Sequence, residues 1–141
     1  MKKIIFSTAL VVLALATSCK KQEIKSINEN VTQGQWRITR FTDDGIDKTS
    51  IYQSFMLEFS SNGKVTTTGS TNVTGTWSVA KESDDDVFEK NHVKFNLYLP
   101  VPLSELNDDW HIESESNTRI ELKDDSGNSD NDDDFLTLEK I

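Results

Sequence analysis

The residue types here that could do chemistry are carboxylates, three indoles, two imidazoles and one thiol. The densest group is the run from Asp124 to Asp134, with six aspartates in eleven residues. Asp130, Asp132 and Asp134 alternate as the ligands that open a calcium loop do, and Ca²⁺ takes six to eight oxygens. Such a loop continues with a glycine and closes on a glutamate. Here Phe135 follows, and no glutamate stands at the far end. Calcium binding is therefore one expectation for this run, and a solvated acidic loop is the other. Trp36, Trp77 and Trp110 could stack on a sugar or grip a ligand. Each also lies in an alternating apolar register, where core packing is the simpler role. Trp110 follows a loop and is the one placed for a pocket mouth. His92 and His111 alternate with apolar neighbours, should point outward, and have no further His or Cys to complete a zinc site. There is no Gly-x-Ser-x-Gly elbow and no glycine-rich phosphate cradle, because the six glycines are scattered through turns. No carboxylate pair is marked for hydrolysis. Binding, not catalysis, is expected.

The charge balance narrows the partners. Lys and Arg number 15 against 24 Asp and Glu, a net charge of −9 over 141 residues. A nucleic-acid partner requires a basic stripe that this composition lacks. The length supports one domain, large enough to fold without disulfides or a structural metal.

Met1-Lys2-Lys3 is a short positive start, Ile4 to Ala16 is apolar apart from Ser7 and Thr8, and Thr17-Ser18 are small. Residues 1–18 thus read as a secretory signal peptide. The run is short of the about 20 apolar residues that a membrane span needs. Loss of Lys2 and Lys3 with the leader leaves 13 basic residues against 24 acidic, a net charge of −11. Cys19 is the only cysteine and cannot pair within the chain. Leu15-Ala16-Thr17-Ser18-Cys19 resembles a bacterial lipobox, with Ala16 where Leu is commoner. The resemblance implies that the Cys19 thiol carries diacylglycerol and that fatty acyl chains such as palmitate hold the protein on a membrane. Lys20 in place of Asp implies the outer membrane, at its periplasmic face or the cell surface. Residues 19–33 read as the lipidated N-terminus and a polar tether, with room for a short helical turn at the base of the domain.

From Gln35 onward the apolar residues recur with period two. The mature chain has one alanine and twelve threonines, a composition that favours strands over helices. Strands are expected around Trp36 and Ile38; Phe55, Leu57 and Phe59; Val65 and Thr67; Val73, Trp77 and Val79; and Val93, Phe95, Leu97 and Leu99. Three more follow around Trp110 and Ile112, Ile120 and Leu122, and Leu136 and Leu138. Ser60-Ser61-Asn62-Gly63 signals a hairpin, and Pro100 and Pro102 stop the fifth strand. Only 43–53 and 100–109 leave room for a helical turn. Residues 34–141 are therefore an all-β domain, an up-and-down barrel or a two-sheet sandwich.

Gly34-Gln35-Trp36-Arg37 looks like the Gly-x-Trp opening of the lipocalins. With Phe59–Gly63, Gly75–Val79, Leu106–Trp110, Ile120–Leu122 and Leu136–Lys140, it resembles the lipocalin-like domain of small gram-negative lipoproteins. The resemblance implies a small antiparallel up-and-down eight-stranded barrel on a lipid tether, with Trp36 plugging the closed end. The Thr-Asp-Tyr element of true lipocalins is missing. A barrel this narrow either fills itself with side chains or holds one small ligand, and its bulky inward candidates favour filling.

In that topology the loops 43–53, 70–72, 99–109 and 124–134 emerge at one end. They gather Asp43, Asp44, Asp47, Asp108 and Asp109 beside the aspartate run, whereas Asp84–Asp86 fall at the other end. Two functions are expected of such a protein. One is binding of a small apolar or amphipathic ligand near Trp110. The other is a protein-interaction module, such as an envelope inhibitor or assembly accessory, that presents an acidic rim which calcium could stabilise.

Overall fold

The computed structural model describes residues 21–81, 93–124 and 133–141. Residues 21–31 form helix α1. Then come β1 (Trp36–Asp43), β2 (Ile46–Asp47), helix α2 (Thr49–Tyr52), β3 (Met56–Phe59), β4 (Lys64–Thr68), β5 (Val73–Lys81) and β6 (Val93–Tyr98). A 3-10 turn (Ser104–Leu106) precedes β7 (Asp108–Glu115), β8 (Arg119–Asp124) and β9 (Asp134–Lys140). Strands β1 and β3 to β9 pair with their neighbours in chain order, every pair antiparallel, and β9 returns to β1. The fold is a closed eight-stranded antiparallel barrel, one of the two architectures that the alternation left open and the one that the resemblance implies. Both helical turns fall in the two segments with room for them.

A ninth strand, β2, was not expected. Asp44 and Gly45 both have positive φ, 50° and 72°, and form a two-residue turn that pairs Asp43 with Ile46. Asp-Gly is the dipeptide that such a primed turn favours. The 21–31 portion of the expected tether is also part of the folded unit. Ile24, Ile27 and Val31 stand at helical spacing, and Ile27 and Val31 are buried in the core. Three residues past the helix, Gly34 takes a φ of 81° and turns the chain into β1. The last carbonyls of α1 are satisfied from the barrel, because the Trp36 indole N–H donates to the Val31 oxygen at 2.9 Å and Lys140 Nζ to the Asn30 oxygen at 3.2 Å. A cation at this terminus also suits the helix dipole.

Alternation places Trp36, Ile38, Leu57, Phe59, Trp77, Phe95, Leu97, Ile120, Leu122, Leu136 and Leu138 in the core. Val79 and Ile112 are only partly buried. Phe41 is buried although it stands an odd three positions after Ile38, because the β1–β9 register shifts between Ile38 and Arg40. That bulge re-phases the strand. Phe59, Trp77 and Phe95 form an aromatic cluster with centroids 5.3 to 5.7 Å apart.

Gly75 lies in the inward register of β5, and a methyl group there would overlap the Tyr98 carbonyl oxygen and press the Leu99 side chain. Leu99 already fills that space, being fully buried. We therefore expect Gly75→Ala to destabilise the barrel by about 2 kcal/mol or more, while Thr76→Ala on the exposed face changes it by less than about 0.5 kcal/mol. Urea unfolding of both variants checks this, and equal midpoints would refute the close packing.

Candidate functional site

The barrel has two unlike ends. Helix α1 covers the end where β1 begins. The other end, here called distal, carries the β1–β3, β4–β5, β6–β7 and β8–β9 connections. The three tryptophans serve these ends from inside. Trp36, Trp77 and Trp110 are 0%, 5% and 1% exposed. Their indole N–H groups donate to the carbonyls of Val31, Ser60 and Leu106, at 2.9, 3.0 and 3.0 Å. Each thus ties a connecting segment to the barrel: α1, the β3–β4 hairpin and the 3-10 turn. All three indoles are buried, which is the core-packing alternative for these residues. At the proposed pocket mouth by Trp110, buried Leu103 and Leu106 seal the barrel. Asn107 seals it further, pairing its side chain with both backbone groups of Leu99.

The polar groups of the distal end are organised around Lys48. Its ammonium contacts Asp43 Oδ2 and, at 3.2 Å, Glu105 Oε2. The Tyr52 hydroxyl donates to the same Glu105 oxygen at 2.8 Å. This network links the β1–β3 connection to the β6–β7 connection over more than fifty residues of chain. The hydrogen bond and charge of Asp43 hold the Lys48 ammonium above its usual range, the Asp43 bond being the larger cause. Burial, followed by Glu105, pushes the Tyr52 hydroxyl up to about 12. Below this network Tyr52 is buried edge-on against Phe41, with centroids 5.3 Å apart.

Carboxylates crowd the rest of the rim. Oxygens of Asp43, Asp44 and Asp134 lie within 4.8 Å of one another. Asp134 accepts the Asp44 amide N–H at 2.8 Å, and Asp43 is engaged by Lys48. Burial, with repulsion from Asp43, Asp44 and Asp124, raises the Asp134 carboxyl despite that amide. Asp130 and Asp132 lie outside the described residues, so the calcium expectation reduces to Asp134 and two partners from the β1–β2 turn. Among the described residues these three carboxylates are the group whose oxygens come together at the rim. His111 is half-buried on β7, and His92 lies outside the described residues. Neither Lys48, Tyr52 nor Glu105 carries a local sequence signal, because the network forms only when distant connections meet.

Asp108 and Asp109 open β7. Asp108 is pushed up to about 6, first by burial, then by the hydrogen bond with Asp109, with further repulsion from Asp124. Asp109 is lowered by its bond with Asp108 and by Lys94, 3.4 Å away. Comparison with protein-family models, characterised proteins and solved structures finds no match for this chain.

The Asp108 shift fixes a pH dependence. The folded form keeps this proton above the usual 3.8. The contribution of Asp108 is therefore complete below the unfolded value and is lost as pH rises through about 6. Asp108→Asn should stabilise the protein above about pH 7 by on the order of 1 kcal/mol, after allowance for solvent screening, with little change below about pH 4. Urea midpoints across this range test the sign, and a variant less stable than the parent at neutral pH would contradict it.

Proposed function

We propose that the chain is a lipid-anchored envelope protein whose barrel holds a basic protein partner at its acidic distal end. The observation that carries this reading is the opposition of the two ends. The N-terminus, with Cys19, leads into α1 at one end, and Asp43, Asp44, Asp47, Glu105, Asp108 and Asp134 gather at the other. An anchor at one end leaves the opposite end to face away from the lipid.

A carrier of a small apolar guest needs an apolar concavity with a few polar groups. Trp36, Trp110, Phe41, Phe59 and Phe95 fill the described interior. A recess of about 230 Å³ between α1 and β7 is lined by Glu23, Glu113 and Glu115 as well as Ile27, Val93 and Ile112. Another of about 300 Å³ lies on the outer face of β5 and β6. Neither has the apolar enclosure that such a guest requires, and the protein-interaction reading is preferred. An acidic rim speeds and selects a basic partner through long-range attraction that salt screens.

The test is photo-crosslinking in the cell, with the reactive side chain placed at Asp47 on the distal rim or at Thr66 on the barrel wall. We expect a discrete protein adduct from Asp47 alone, and Cys19→Ser should move the protein from the membrane to the soluble fraction. Adducts from both positions or neither would refute the partner site. Continued membrane fractionation of Cys19→Ser would refute the anchor.

A further inference from the structure

The distal end is apolar as well as acidic. Ile46 on β2, Ile51 on α2 and Val101 in the β6–β7 connection are 60%, 59% and 78% exposed. Large apolar side chains on three separate segments are not the chance exposure of one strand. These segments are also tied together, since Lys48 and Tyr52 both reach Glu105 and so join the β2–α2 strap to the connection bearing Val101. The network ties these segments together while Ile46, Ile51 and Val101 stay exposed at the same end of the barrel, and large apolar side chains gathered in water at one end mark an interaction site.

The surrounding charge decides what covers it. A second copy of this chain would bring the same acidic rim against itself, and like charges so opposed repel. A bilayer carrying anionic lipid is repelled for the same reason. A partner with positive charge around apolar side chains is attracted by the rim and can bury the patch. Resting on the partner-binding reading above, we infer that the distal end seats a basic polypeptide segment whose aliphatic or aromatic side chains cover Ile46, Ile51 and Val101, with Lys or Arg against the flanking aspartates. Apolar burial then supplies affinity that salt does not remove, and the rim supplies approach and orientation.

Two synthetic peptides of equal length and charge separate these contributions, one of Lys and Leu and the other of Lys and Ser. Their affinities are measured by calorimetry for the full mature chain carrying Cys19→Ser, and for the same chain with Ile51→Ser and Val101→Ser. We expect the Lys/Leu peptide to bind about 10-fold tighter or more at physiological salt, and the double substitution to abolish that preference at unchanged melting temperature. Both substituted side chains are exposed, so the variant should fold. Equal affinity of the two peptides, or a preference that survives the double substitution, overturns the apolar seat and leaves the acidic-rim reading standing. No binding of either peptide overturns both. Self-association of the parent chain in sedimentation, lost in the double variant, would make a second copy the occupant and overturn the basic segment.

Discussion

The structure depends on the closure of the sheet at Trp36. Its backbone position is paired on one side with Leu57 of β3 and on the other with Lys140 of β9, so both edges of the sheet meet there. The same residue sends its indole N–H to the last turn of α1, and Lys140 lies over its ring, 4.8 Å from the centroid. An open sheet would leave two rows of unpaired backbone groups, and closure alone removes both. Once the ring is shut, its narrow interior must be filled and its two ends sealed. Most of the remaining features follow from these two demands.

Filling consumes the aromatic residues. Phe59, Trp77 and Phe95 pack together, and the polar edge of each tryptophan is spent on a carbonyl of a sealing segment. A buried indole requires such a partner, so the residues that look best suited to grip a ligand are committed to holding the ends shut. The outer wall carries its own ion-pair ladder, in which Arg119 meets Glu121 at 2.8 Å and Glu139 at 2.7 Å. Exposed pairs of this kind add little stability, but they leave the wall with both signs of charge interspersed. The distal end differs, because there Asp134 faces Asp43, Asp44 and Asp124, and Asp108 faces Asp109 and Asp124.

Period-two alternation placed the eight barrel strands and nearly all the interior correctly, because each strand buries one face. It failed where the period breaks. Phe41 is missed because a bulge inserts one residue after Ile38, and Val79 and Ile112 are less buried than a regular strand would make them. Ile24, Ile27 and Val31 look isolated when tested for alternation, although their spacing is that of one helix face. Asp44-Gly45 was the available signal for β2 and was hidden within an acidic segment.

Composition and local pattern by themselves determined the all-β class, the order of the strands, and which connections share an end. These properties are set by near neighbours in the chain, and antiparallel hairpins propagate them. Only the tertiary structure decided that the indoles are staples, that Lys48 and Tyr52 converge on Glu105, and that Ile46, Ile51 and Val101 stand out beside the aspartates. Those relations join residues far apart in sequence, and they come into being only when the closed sheet brings its connections together at one end.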